Sequence, residues 1–222
     1  MKRLMIVTLV VLPALIAAFA DCGVCGPSGR AGPPQPDRDG FYALFNGRDL
    51  TGWKASENTE CFKVAGGCIV ANGKRSHLFY EGPVNKATFK NFELVAQVMT
   101  FPKANSGIYF HTEYQDKGWP GKGYECQVNA THSDRKKTGG LYGVRDVMDT
   151  APHKDNEWFT YTIKVQGKRI AIKINDKVTC EYTEPDGASG GRKLSSGTIA
   201  LQGHDPGSKV LYRSVKIKPL AD

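Results

Sequence analysis

Three extended segments carry side chains able to do chemistry. Residues 105–129 read N-S-G-I-Y-F-H-T-E-Y-Q-D-K-G-W-P-G-K-G-Y-E-C-Q-V-N, two strand-like runs around a loop rich in Gly, Lys, Pro and Trp. A period of two places Tyr109 and His111 on one face of the first run, and Glu125, Gln127 and Asn129 on one face of the second. Gln202 and His204 form another polar alternation near the C-terminus, beside an otherwise apolar run. A carboxylate and two amides in a row do not make a core face. Burying each without a partner costs roughly 1–3 kcal/mol, and more for a charge. These groups are therefore expected to face solvent or a ligand cleft.

Tyr109, His111, Glu125, Gln127, Gln202 and His204 together offer acid, base and hydrogen-bonding groups, a set that suits a sugar. Tyr109, Trp119 or Trp53 could stack on the C–H face of a pyranose ring. Glu125 is the candidate for proton transfer, with His111 or His204, titrating near neutrality, as its counterpart. Ordinary glycoside hydrolysis uses two carboxylates, and the candidates for a second are the loop residues Asp134, Asp146 and Asp205. Arg145, Lys193 and Arg213 are candidates for holding a substrate oxygen, although Arg213 alternates in step with Leu211, Val215 and Ile217. Glu125 with His111 or His204 would give a divalent cation mixed oxygen and nitrogen ligands. No short-range ligand motif accompanies them, and the Cys22-x-x-Cys25 pair lacks a second pair at zinc spacing.

The elements that must position these groups are short strands. Phe92, Leu94, Ala96 and Val98 alternate through 91–100; Phe159, Tyr161, Ile163 and Val165 through 157–165; Ile170, Ile172 and Ile174 through 169–177. The last two runs, joined at Gly167-Lys168, read as a hairpin. Further strands are expected at 62–71, 76–80, 197–202 and 209–218, with 130–138 and 185–196 as polar loops. No long window keeps a helical period. Many short strands between Gly-rich turns predict an all-β fold, a sandwich of antiparallel sheets.

The first twenty of the 222 residues read as a secretory signal: Lys2 and Arg3, an apolar run over 4–16, and Ala18-Phe19-Ala20 before the cut. Residues 21–40, rich in Gly and Pro, read as a linker, and 41–222 as the folded domain. This predicts an exported protein, periplasmic or extracellular, with no membrane span in the mature chain. Asp21 before Cys22 argues against lipoprotein processing. Export permits disulfides among Cys22, Cys25, Cys61, Cys68, Cys126 and Cys180: 22 with 25, 61 with 68 across a Val-Ala-Gly-Gly turn, and 126 with 180, although sequence leaves other connectivities and free thiols open. The net charge of +8 is dispersed rather than gathered on one element, which argues against a nucleic-acid partner.

Several motifs carry a family resemblance: F-Y-A-L-F-N-G-R-D-L-T-G-W at 41–53, N-S-G-I-Y-F-H at 105–111, G-Y-E-C-Q-V at 123–128, T-G-G-L-Y-G-V at 138–144, and G-T-I-A-L-Q-G-H-D with V-L-Y-R-S-V-K-I-K-P-L near the end. Over 41–220 the chain resembles the 3-keto-disaccharide hydrolases, formerly domain of unknown function 1080. The resemblance implies a concanavalin A-like β-sandwich, or jelly roll, in an exported or envelope-associated bacterial protein. It also implies cleavage of 3-keto-glycosides made by a separate sugar 3-oxidoreductase. In that chemistry a base removes the C2 hydrogen, the enolate expels the C1 oxygen, and water then adds. The site then needs one base, a donor or cation for the oxyanion and an acid for the leaving group, and not the usual carboxylate pair. The chain departs from the family pattern at His111, Asn129 and Ser214, where arginine, aspartate and asparagine are common. A non-catalytic lectin-like module on the same fold is the alternative reading, and an export-associated structural protein the third.

Overall fold

Alternating apolar residues on strands of eight or nine residues can be buried on one face only by a second sheet, and two sheets form. The computed structural model of the protein describes residues 34–222. The signal, most of the linker, Cys22 and Cys25 lie outside the described residues. In chain order the strands are β1 (Tyr42–Ala43), β2 (Trp53–Ala55), β3 (Phe62–Ala65), β4 (Cys68–Asn72), β5 (Ser76–Tyr80), β6 (Phe92–Thr100), β7 (Asn105–Thr112), β8 (Tyr124–Asn129), β9 (Lys136–Leu141), β10 (Arg145–Met148), β11 (Phe159–Gln166), β12 (Arg169–Ile174), β13 (Lys177–Thr183), β14 (Thr198–Gly203) and β15 (Lys209–Pro219). One sheet runs β13-β12-β11-β6-β15-β4-β3, with β1 also on β15. The other runs β10-β9-β8-β7-β14-β5-β2. The described strand pairings are antiparallel, as the sequence predicts.

The core lies between the sheets. Leu94, Ala96 and Val98 of β6, Tyr161 and Ile163 of β11, and Val215 and Ile217 of β15 meet Ile108 and Phe110 of β7, Cys126 and Val128 of β8, and Ile199 and Leu201 of β14. The outer face of the second sheet is the one left to carry the polar alternation, and it holds the site. Within it, β9 begins at Lys136, inside the stretch expected to be loop, so Thr138-Gly139-Gly140 is strand.

Two bulges shift the alternation. Ser214, at φ 53, adds a residue between Arg213 and Val215 against β6. Val215 and Ile217 turn inward while Arg213 stays outside, so the face that Arg213 was expected to share with them does not exist. His111, at φ 54, sits where the β7–β14 register slips. Its ring turns to the core side, against Phe92 and Phe110.

The cysteine pairings are corrected as well. Cys61, Cys68, Cys126 and Cys180 are all free and buried. The β3–β4 register sets Phe62 opposite Ala71 and Ala65 opposite Cys68, so Cys61 and Cys68 are not opposed. Cys126 and Cys180 enter the same core from different sheets, and both are free thiols.

Candidate active site

A cleft of about 370 Å³ opens on the outer face of the second sheet, within the usual size of small-molecule sites. Its floor is Tyr109, Glu125, Gln127 and Gln202, four of the groups that alternation singled out. They meet because three strands lie side by side, with Tyr109 opposite Glu125 on one side and Ala200 on the other. Gly107, opposite Gln127, lets the carboxylate lie flat across β7: a Cβ there would stand 2.5 Å from Glu125 Oε1.

Glu125 is only 9 % exposed. Gln202 Nε2 donates to its Oε1 at 2.8 Å and to the Tyr109 hydroxyl at 3.1 Å. Burial raises the Glu125 pKa above the ordinary carboxylate value, opposed by hydrogen bonds from Tyr109 and Gln202 and by the charge of Arg192. Burial and the neighbouring carboxylate push the Tyr109 phenol far up, so it is a hydrogen-bond donor and not a phenolate. The amide oxygens of Gln127 and Gln202 are buried and have no hydrogen-bond partner among the described residues. Two unpaired acceptors on a cleft floor call for donors from a ligand.

The walls come from loops. Trp119 and Pro120 stand on one side, and Tyr142, Arg192 and His204 also line the opening. Arg192 reaches in from the 185–196 loop and donates to the Tyr142 carbonyl at 2.6 Å. The two loops are tied where the Gly123 amide donates to the Gly191 carbonyl at 2.9 Å. Sequence reasoning missed Arg192 because a loop residue shows no periodicity; Lys193, which it named instead, is exposed.

His111, nominated as catalytic, is not at the cleft. Its Nε2 donates to the Lys90 carbonyl at 2.8 Å and its Nδ1 accepts from the Ser195 amide at 3.1 Å. Burial lowers its pKa, the Lys90 carbonyl opposing. It is a buttress for the loop that carries Arg192. Arg145 is exposed on the edge strand β10, and Arg213 lies on the other sheet with its guanidinium 4.1 Å from the Trp158 ring centre. Trp53 is a core residue, its Nε1 donating to the Leu44 carbonyl at 2.8 Å.

Asn129 closes the β8–β9 loop instead of facing the cleft. Its Nδ2 donates to the carbonyls of Asp134 and Lys136, and its Oδ1 accepts from the His132 amide. Inside that loop the buried ammonium of Lys137 donates to the His132 and Asp134 carbonyls at 2.7 and 2.8 Å. The loop carries His132 to His204 and Asp205, and one donor atom from each of the three lies within 4.8 Å of the others. Two imidazoles and a carboxylate suit a divalent cation. This is a different set from the expected Glu125 with a histidine, although it retains His204. Burial lowers the His132 pKa, which keeps the ring neutral and able to ligate. Asp205 accepts from His204 Nδ1 and from Ser208 Oγ, each at 2.7 Å.

The family model of the 3-keto-alpha-glucoside-1,2-lyase-like domain matches residues 40–218. The chain belongs to this family. The resemblance read from the motifs thus holds, and with it the assignment to carbohydrate-acting enzymes that break glycosidic bonds. Two solved structures of candidate glycosyl hydrolases from Parabacteroides distasonis are similar to it. One is 22% identical with a TM-score of 0.69, covering 82% of this chain and 95% of that one. The other is 23% identical with a TM-score of 0.58, covering 81% and 99%. A carbohydrate-binding module from Bacillus subtilis is 12% identical with a TM-score of 0.53, covering 75% and 95%. At such identities the likeness is one of fold, and it agrees with the concanavalin A-like sandwich. A search of the curated proteins found no match.

Proposed function

We propose that this family member cleaves 3-keto-glycosides by elimination and hydration, with Glu125 as the base. One observation carries the reading: among the described residues lining the cleft, Glu125 is the single carboxylate, and it is buried with a raised pKa. Double displacement and direct displacement each use two carboxylates. A sugar already oxidised at C3 needs only one base.

In this scheme Glu125 takes the C2 hydrogen, whose acidity comes from the adjacent ketone, and the electron pair forms an enolate. The guanidinium of Arg192 and the hydroxyl of Tyr109 are the groups able to offset the oxyanion charge. Collapse of the enolate breaks the C1–O bond, and the departing oxygen takes a proton from His204, held by Asp205. Water then adds at C1 and gives its remaining proton to His204, while protonated Glu125 returns its proton to C2, giving net hydrolysis with both groups restored. A divalent cation held by His132, His204 and Asp205 would supply Lewis-acid stabilisation of the enolate oxygen, and His204 would then be a ligand and not the acid. Export to the periplasm or cell exterior, and a separate enzyme that oxidises the sugar at C3, belong to the same proposal.

The test is product release from a panel of 3-keto-glucosides and their unoxidised parents, by wild type and Glu125→Gln, with and without a chelator. Turnover of keto forms alone, lost in the variant, is expected. Equal cleavage of unoxidised parents, or binding of both sets without turnover, would sink the reading, the second result favouring a lectin-like module. Turnover that survives chelation assigns the proton to His204.

A further inference from the structure

The mechanism leaves His77 unused. It lies on β5 directly opposite Gln202 of β14, on the cleft face of the sheet. It is fully buried, and neither ring nitrogen has a hydrogen-bond partner among the described residues. A buried imidazole with two unpaired nitrogens costs more than an apolar ring of the same shape, and a phenylalanine would pack there without that cost. Its neighbours are rings that border the cleft, Tyr109 at 5.3 Å and Trp119 at 5.5 Å between centroids, both edge-on.

His77 belongs to a row. Continuing the Leu201–Ile108 register, Gln202 stands beside Gly107, which pairs with Gln127. Across β5, β14, β7 and β8 the row therefore reads His77, Gln202, Gly107, Gln127, and the three with side chains each have unpaired hydrogen-bonding atoms. Three strand spacings make the row roughly 14 Å long. That is the span of more than one sugar ring. The Glu125 carboxylate lies over Gly107 in the middle of the row, hydrogen-bonded to Gln202, and beyond Gln202 the His77 end is roofed by Trp119.

We propose that the leaving sugar of a two-ring or longer glycan occupies the His77 end of this row, with Trp119 moving from above His77 to make room and His77 binding one hydroxyl of that sugar. The proposal rests on the sugar-cleaving reading above and extends it to the leaving group. Burial, reinforced by the charge of Arg75, pushes the His77 pKa down to about 3. The ring stays neutral and keeps one donor and one acceptor, the complement of a hydroxyl. Trp119 is suited to move: it is 45 % exposed, on a loop with Gly118, Gly121 and Gly123. It is held in its resting position by the Arg75–Glu57 ion pair, in which Glu57 also accepts from the Gly118 amide at 2.9 Å and Arg75 lies 5.3 Å from the indole. Gln115, whose Nε2 donates to the Trp119 carbonyl at 2.8 Å, and the His204 ring 5.4 Å away hold it as well.

Two substrates sharing the 3-keto ring and differing in leaving group test this, a 3-keto-disaccharide and methyl 3-keto-glucoside. His77→Phe is expected to lower kcat/KM roughly tenfold for the disaccharide and less than about twofold for the methyl glycoside. Equal loss on both, or loss on neither, overturns the proposal. Because a change at a buried residue can prevent folding, wild type and Trp119→Ala are also treated with diethyl pyrocarbonate, which acylates accessible neutral imidazoles, and their peptides mapped by mass. His77 should react faster in Trp119→Ala than in wild type, and in Trp119→Ala maltose or cellobiose should protect it where methyl glucoside does not. A His77 that is unreactive in Trp119→Ala, or indifferent to disaccharide, overturns the subsite. The mapping requires no turnover, so protection of His77 in a protein that cleaves no keto-sugar would refute the proposed reaction and leave the subsite standing.

Discussion

At position 107 any side chain larger than hydrogen collides with the carboxylate of Glu125. The Gly107 backbone is not in the left-handed region, so alanine is tolerated by the chain itself and the conflict falls on the catalytic group. Gly107→Ala is expected to fold, to change Tm little, and to lose activity through displacement of the carboxylate, read as a fall in kcat. Glu125→Gln should cost about 10²–10⁴-fold in kcat, the range of general-base catalysis. The pH dependence has a definite sign. A base works ionised, so kcat/KM rises with pH through a Glu125 pKa above the usual carboxylate value. For stability the sign reverses: between the unfolded and the raised folded pKa the native state holds the extra proton, so stability falls as pH rises through that window. Glu125→Gln should therefore raise Tm at neutral pH, with the difference shrinking as pH falls from the raised Glu125 pKa to the ordinary carboxylate value and vanishing below it; an unchanged gap across pH would refute the buried-carboxylate argument. Glu125, Gln127 and Gln202 were legible in sequence because a polar row on a strand has to be explained. Arg192 and His132 were not, because loops bring them in and a loop leaves no period. His77 was passed over as one more residue of the short S-H-L-F-Y strand.

Bulges decided which of the nominated side chains reached the cleft. Tyr109 and His111 are two apart, and ordinary pleating would align them. One residue at positive φ turns the second ring inward, and nothing in N-S-G-I-Y-F-H-T marks where the slip occurs. The same holds at Ser214, where Arg213 parts company with Val215. The regular strands β6, β11 and β12 carried no such surprise, since their apolar residues alternate without interruption. His111 now has an element-level role, joining the backbone before β6 to the loop bearing Arg192. His111→Leu removes both bonds and should destabilise the protein by about 1–3 kcal/mol. It should raise KM by loosening the loop and leave the pH at which activity appears unmoved; a shifted pH profile would return His111 to the catalytic set.

For the molecule as a whole, stability rests on the sheet-to-sheet core and not on covalent staples among the described residues. The four described cysteines are free, so a reducing agent should leave Tm unchanged; a marked drop would mean a disulfide the described fold does not contain. The all-β, antiparallel reading was legible because alternation and turn residues agree along the chain, whereas the disulfide expectation came from compartment alone and carried no geometry. A last consequence concerns Lys137. Its ammonium already fills the centre of the β8–β9 loop, bound to backbone carbonyls that a metal could otherwise have gathered. The loop thus brings its own resident cation, one that cannot dissociate. A divalent ion arriving at His132, His204 and Asp205 would find a frame already set, and a chelator should switch off any metal-dependent turnover without lowering the melting temperature by more than the binding energy of the ion itself.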